Sequence, residues 1–378
     1  MIYKKIQLFF NAKKRWTLPE QTEVIFFDIN CVDILKNFIP NKTYSVLYTR
    51  GEVINLFIFL LARLNPERYF QKYIQSVAPN IVITATDNDD RFYKLKAIFP
   101  DIIFIAIQNG HRTERGDIFS RFKKVIFKRS CDYILTFNES IAEEYQKYID
   151  TNTVPIGSFK NNFYQKLNKI GTKLESQILF ISQYAEIPDG GEGSYFQKIL
   201  DRSVSWSEVF EAEKVIMEYL RQFSEMRGIE FSILLRQDMP SSEINFYEKL
   251  FKGKRNYSFI KKNSRNSYQI IDNYKYVIGI DSTLLFESFA RRNRTAFFPF
   301  RERLLGCESC KFGWPKKNIS LGQFWTNSTE IGEFFNTMDF IINSSDKEWD
   351  EIYKKSVNDI MLFDPGNKKL SSVLKALI

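Results

Sequence analysis

Short apolar segments alternate with amphipathic stretches, the alternation stops, and then it starts again. In the first half the apolar segments are EVIFFDI (23–29), YSVLY (44–48), NIVITA (80–85), IIFIAI (102–107) and DYILTF (132–137). Helical patterns lie between them, notably 52–76 and 139–148. A strand buried on both faces reads as an unbroken apolar run, and parallel neighbours need long crossovers that are usually helical. The order predicts a doubly wound α/β domain. The stretch VPIGSFKNNFYQKLNKIGTKLESQ (154–177) is polar and breaks the pattern, as a domain connection would. Strand patterns then return at 178–182, 230–235, 256–260, 276–280 and 295–299, with helical ones at 207–227, 241–252, 267–273 and 283–292. The expected organisation is a Rossmann-like domain over 1–160, a linker over 161–175 and a second Rossmann-like domain over 176–346. Amphipathic helices over 347–378 are expected to return to the first domain. The fold class is α/β, with two such domains facing a cleft.

Composition narrows the function classes. The 378 residues suit two domains, and 36 Phe with 19 Tyr can bury a large core, which excludes disorder throughout. No run approaches about 18 uninterrupted apolar residues, so no membrane-spanning helix is expected. The opening MIYKKIQLFFNAKKRW lacks a long apolar core and a small-residue cleavage site, so it is not expected to be a secretory signal. Four cysteines form no disulfide framework, and a cytoplasmic location is the expectation. Cys307 and Cys310 are spaced like metal ligands, but two more Cys and one His lie far away, so no metal is expected. Neither GxSxG, a P-loop, HExxH nor GxGxxG occurs, which removes the motif support for a nicotinamide cofactor. The net charge of +9 is uneven: 26 basic and 18 acidic residues lie in 1–175, against 28 and 27 in the remainder. A basic half suits an anionic partner, such as a membrane surface, or it is a surplus of lysine on solvated faces. The stretch 119–129 (FSRFKKVIFKR) reads either as a membrane-surface helix or as a core helix with a basic outer face.

Polar residues that follow the apolar runs are the candidates for chemistry. In VIGIDSTLLFESFARRNR (277–294) a strand ends and Asp281, Ser282 and Thr283 open a helix, whose N-terminal N–H groups and dipole suit a phosphate. Glu287 lies about one turn deeper and suits ribose hydroxyls; a plain helix cap is the competing reading. Arg236 and Gln237 follow FSILL, Ser182 and Gln183 follow ILFI, and each pair stands where a nucleotide would be held. In the first half, TDNDD places Asp87 and Asp89 beyond a strand, as a general base, as oxygen ligands of a divalent metal, or as an acidic turn capping a helix. The strand IIFIAI ends in Gln108, Asn109 and Gly110, followed by His111, the only histidine, and Arg112.

In the order TDND, IQNGHR, VPIGSFKNN, ILFISQ, ILLRQ and GIDSTLLFESFARRNRTAFF, the chain resembles bacterial surface-carbohydrate biosynthesis proteins, encoded with lipopolysaccharide or capsule genes. The resemblance spans about 80–300 and implies a GT-B glycosyltransferase. A looser likeness extends to polymer-forming enzymes that use cytidine-nucleotide donors. In several of them a His-Pro pair and a Ser-Ser or Ser-Thr pair hold the nucleotide. Ser282-Thr283 match the second pair, and Arg236-Gln237 stand in place of the first. The resemblance implies a nucleotide-sugar substrate, CMP-linked sugars included, with no cofactor. Ser182, Gln183, Arg236, Gln237, Ser282, Thr283 and Glu287 would bind it. Gln108, Asn109, Gly110 and Arg112 would meet a glycan or lipid-linked acceptor, with Asp87, Asp89 or His111 as base. Peripheral contact with an anionic membrane is expected, and nucleic acid is not. Two alternatives stay open: a nucleotide-sugar 2-epimerase of similar build, and a non-enzymatic protein that binds anionic membranes or nucleic acid.

Overall fold

The computed structural model describes residues 10–114, 117–124, 127–165, 174–187, 204–236, 241–251, 256–261, 266–307, 310–316 and 323–377. The chain forms two compact units. The first comprises Met1–Asn109, Ile126–Phe163 and Asn367–Ile378; the second comprises Gly110–Val125 and Tyr164–Gly366.

The first unit holds strands β1 (Lys13–Arg15), β2 (Val24–Phe27), β3 (Tyr44–Leu47), β4 (Val53–Asn55), β5 (Ile81–Thr84), β6 (Ile103–Ile107), β7 (Arg129–Thr136) and β8 (Ile149–Pro155). Six of them form a parallel sheet in the order β3-β2-β5-β6-β7-β8, and β1 pairs with β4 in a separate parallel ribbon. Its inner strands β2 and β5 are buried at every position. Phe27, Phe92 and Phe104 form an aromatic layer on this sheet, Phe92 lying 5.6 Å from Phe27 and 5.1 Å from Phe104. Each such ring contributes about 1.5–3 kcal/mol on burial.

The second unit holds β9 (Leu174–Ile181), β10 (Glu230–Leu234), β11 (Tyr257–Ile260), β12 (Tyr274–Gly279) and β13 (Arg294–Phe297), all parallel in the order β11-β10-β9-β12-β13. Its longest helix, Trp206–Arg227, starts with a Ser205/Glu208 capping box and ends at Gly228, whose φ of 64° is the left-handed conformation that glycine adopts without penalty. Both units are thus α/β with doubly wound parallel sheets.

The structure departs from the sequence expectations at three places and decides between two open readings at a fourth. The stretch 52–76 is β4 followed by two helices, Leu56–Leu61 and Pro66–Val77. Arg63 and Leu64 take positive φ between them, and a residue preceding proline disfavours the helical region, so one continuous helix cannot form. Strand β8 falls partly within the expected polar connection, because an edge strand need not be apolar. Within 119–129 the described residues include the helix Ile118–Lys124 and the first residue of β7, and Ile118, Phe119 and Phe122 are buried in the second unit. With Arg121, Lys123 and Lys124 exposed, this is the core helix with a basic outer face, one of the two readings open from the sequence. In the tail, the helix Asp346–Ile360 belongs to the second unit, and the return to the first begins only at Asn367. There the buried Asn367 donates through Nδ2 to Phe159 O at 2.7 Å.

Candidate active site

Open α/β sheets bind ligands beyond the carboxyl ends of their strands, where the strand order reverses. In the second unit this reversal lies between β9 and β12. Ser182 and Gln183 follow β9, and Asp281, Ser282 and Thr283 follow β12 by one residue. Thr283 opens the helix Thr283–Ala290, with Ser282 as an extended N-cap that makes no side-chain bond to the helix. Gly279 permits the close packing here. A Cβ on it would lie 3.2 Å from Leu285 Cδ2 and 3.5 Å from Ile181 O.

The segment after β6 belongs to this unit and supports the helix start. The backbone N–H of His111 donates to Thr283 Oγ1 at 2.9 Å. Its imidazole stacks on Phe286, with centroids 4.0 Å apart and planes at 14°. Burial lowers the His111 pKa to about 4; Asp281 and Asp117 oppose the shift, and Arg112 adds to it. The ring is therefore neutral at neutral pH and a weak base there. Arg112 is buried and pairs with Asp117 at 3.3 Å.

Two arginines converge on the same strand ends. Arg301, just beyond β13, donates through Nη1 to Gln183 Oε1 at 3.2 Å and to Asp281 Oδ1 at 3.1 Å. Arg236, beyond β10, donates through Nη1 to the carbonyls of Gln183 at 3.1 Å and Tyr184 at 3.2 Å. Beneath them lies a buried polar layer. Ser182 Oγ donates to Glu243 Oε1 at 2.5 Å, and Tyr247 OH stands 2.7 Å from Ser182 Oγ and 2.8 Å from Glu213 Oε1. The N–H of Gln183 donates to Glu213 Oε1 at 2.9 Å. Glu213 and Glu243 are fully buried, and Glu213 Oε2 has no hydrogen-bond partner. Desolvation raises the Glu213 carboxyl above its ordinary range, with Arg301 opposing. Glu287 is also buried and accepts from Tyr268 OH at 2.9 Å, so it lies below the rim. Gln237 lies outside the described residues.

In the first unit, Asp87 is part of the scaffold. It is buried, Oδ1 accepts from Asn109 N at 3.3 Å, and Oδ2 accepts from Tyr145 OH. Asp89 caps the helix Asp90–Ile98, accepting from Arg91 N at 3.0 Å, and forms an ion pair with the Arg91 guanidinium. This is the capping geometry that competed with a general-base role. Gln108 is buried, its Oε1 accepting from Phe137 N at 2.8 Å. The residues grouped by sequence as one acceptor set are divided: Gln108 and Asn109 belong to the first unit, and Gly110 and Arg112 to the second. Thr86 Oγ1 and Asn109 Oδ1, beyond β5 and β6, are buried side-chain oxygens without a hydrogen-bond partner. Leaving such atoms unpaired costs about 1–3 kcal/mol each, which a ligand hydroxyl would recover.

Sequence reading missed several residues. Arg301 follows β13, within PFRER, as Arg236 follows β10, three strands earlier in the chain. Glu213 interrupts the apolar face Val209, Phe210, Ile216, Met217, Leu220 of its helix, a legible anomaly. Asp28, beyond β2, has a φ of 91° and is buried, accepting from Thr49 Oγ1 at 2.8 Å. Among the described residues, no group of three His, Cys, Asp or Glu side chains is gathered for a metal ion. The Cys310 thiol is raised by its contact with Cys307.

A family described as putative O-antigen biosynthesis protein matches residues 105–378. No curated protein matches the sequence. Among solved structures, the wall teichoic acid polymerase TagF is similar at a TM-score of 0.54 and 13% identity, over 97% of this chain and 90% of that one. A glycosyltransferase from Rickettsia africae ESF-5 matches at 0.52 and 10% identity, over 95% and 98%. UDP-GlcNAc 2-epimerase from Neisseria meningitidis, solved with UDP-GlcNAc bound, matches at 0.54 and 12% identity, over 93% and 99%. At these identities the likeness establishes the fold: two Rossmann-like units of the GT-B type.

Proposed function

We propose, from the premise that this chain belongs to the O-antigen biosynthesis family matched over residues 105–378, that it is a glycosyltransferase of cell-surface polysaccharide assembly. Its donor is a nucleotide sugar. The observation that carries this reading is the convergence of Ser282, Thr283, Gln183, Arg236 and Arg301 at the strand-order reversal of the second unit. The N-terminal N–H groups of Thr283–Ala290 and the Ser282 and Thr283 hydroxyls donate to the diphosphate. Arg301 and Arg236 supply positive charge that stabilises the departing nucleotide phosphate. His111, held neutral, positions Thr283 through its backbone. Ser182, Glu213, Glu243 and Glu287 act as support beneath the site. In the first unit, Thr86 Oγ1 and Asn109 Oδ1 accept from hydroxyls of a glycan or lipid-linked acceptor, at the cytoplasmic face of a membrane.

A thermal-shift panel of CMP, CDP, UDP, GDP and TDP with their sugar conjugates tests the donor site, because a ligand of the native state raises the midpoint by mass action. One nucleotide should raise the midpoint of the wild type, and Thr283→Val or Arg301→Gln should weaken its binding about 10-fold or more. A shift that survives both substitutions refutes the site. The likeness to the meningococcal enzyme keeps a 2-epimerase as the second reading. Conversion of UDP-GlcNAc without any acceptor would select it.

A further inference from the structure

Among the described residues, the first unit carries a cluster of exposed apolar side chains. The helix Leu56–Leu61 (LFIFLL) is apolar at all six positions, yet only Ile58 is buried. A helix that is apolar all round belongs in a core or in lipid. Here Leu60 is 59% exposed, Leu61 50% and Phe57 42%, and Leu64, just beyond the helix, is 59% exposed. The ribbon beside it adds Trp16 at 70% and Leu18 at 54%. The two segments form one neighbourhood: Arg15 pairs with Asn55 in the β1–β4 register, and Asn55 caps the helix while its Nδ2 donates to Thr17 O at 2.7 Å. Exposed apolar clusters of this kind on a soluble unit mark an interaction surface.

Charge indicates the partner. Lys13, Lys14, Arg15, Arg63 and Arg68 stand on or next to the same segments, against Glu20, Glu52 and Glu67. Beside the patch opens a cavity of about 380 Å³, lined by Arg15, Thr17, Leu18, Tyr48, Tyr69 and Tyr73 among others. Its hydroxyls and the exposed Arg15 suit a phosphate-bearing headgroup, with the Glu20 carboxylate also in the lining and set against Arg15. A symmetric pairing of two copies through this face would set its basic residues against themselves. Trp, Leu and Phe flanked by Lys and Arg is the composition that sits at a bilayer interface.

We infer that Trp16, Leu18, Phe57, Leu60, Leu61 and Leu64 seat the first unit on an anionic phospholipid bilayer, with Arg15 and the neighbouring lysines on its headgroups. This surface replaces the helix 118–124, whose apolar face is buried. It stands independently of the donor site, which lies in the other unit.

Vesicle flotation of the full chain tests it. The wild type should float with phosphatidylcholine vesicles that contain phosphatidylglycerol, and much less with phosphatidylcholine alone. Leu60→Glu with Leu61→Glu should abolish flotation and leave the thermal midpoint and nucleotide binding unchanged. Lys13→Ala with Lys14→Ala should weaken binding roughly 25-fold, at about fivefold per charge. Brominated lipid should quench the fluorescence of the wild type, and Trp16→Phe should remove that quenching. Absence of flotation, equal flotation on both compositions, or flotation unchanged in the leucine variant would overturn the inference. A wild-type dimer that the leucine variant converts to a monomer, with no vesicle binding by either, would assign the patch to a second copy and overturn it as well.

Discussion

The unique histidine offers a direct measure of how tightly the segment after β6 is packed. Burial against Phe286 lowers the His111 pKa to about 4, from about 6.5 in an unfolded chain. Below pH 6.5 the unfolded chain takes up a proton that the folded one refuses, so stability present above that pH is lost as pH falls. The loss runs at about 1.4 kcal/mol per pH unit and reaches about 3 kcal/mol near pH 4, where it levels off. Between pH 6.5 and 5 it amounts to about 2 kcal/mol. The Phe of His111→Phe keeps a ring against Phe286 and removes the proton. The stability difference between wild type and this variant should therefore shift by about 2 kcal/mol over that range in urea unfolding. Other carboxylates titrate in both proteins and cancel. A single-histidine chain also gives one imidazole resonance set, so its titration is read by NMR without assignment. A ring that titrates at 6.5 or above, or a stability difference flat with pH, would refute the packing argument.

Other consequences are equally concrete. Asp272 and Arg291 form a fully buried ion pair, Nε to Oδ1 at 2.8 Å, so Asp272→Asn should cost about 3–5 kcal/mol in denaturant unfolding, because it removes the Asp272 countercharge from a buried guanidinium. Gly279→Val should cost about 1–3 kcal/mol by forcing Leu285 away from β12, and it should weaken nucleotide binding through the displaced helix start. Glu213 is pushed upward by burial, so its contribution to stability declines as pH rises above the ordinary carboxylate range. Glu213→Gln should therefore gain on the wild type between pH 5 and pH 8 in thermal midpoint, and an opposite trend would show that the carboxylate is held ionised.

What the sequence revealed follows from which signals are local. Strands such as Ile81–Thr84 and Ile103–Ile107 are buried on both faces and announce themselves as apolar runs. From their order came both α/β units, and from the polar residues after them came Gln183, Ser282 and Thr283 at the strand-order reversal. Strand β8, IDTNTVP, sits at a sheet edge with polar residues and carried no such signal. The break within 52–76 was written locally in Asn65-Pro66, a cap residue and the proline that opens the helix Pro66–Val77, while the positive φ of Arg63 and Leu64 had no sequence signal. Asp87 and Asp89 look equivalent in TDNDD, yet one is bonded to Tyr145 and the other to a helix start. Distinguishing them requires a residue 58 positions away.

The partition of the chain bears on how the proposed donor site can be transplanted between relatives. The second unit is assembled from two stretches, Gly110–Val125 and Tyr164–Gly366, and the first from three. A chimera joined once, in the polar connection near 165, would carry the helix Thr283–Ala290 from one parent and the residue stacked on it from the other. Phe286 would then meet an unmatched side chain where His111 stands, and Thr283 would lose the backbone donor fitted to it. Exchange of the proposed nucleotide site as a working cassette therefore takes three junctions at the least: on either side of 110–125 and near 164, with a fourth at 367 when the last helix stays with its own parent.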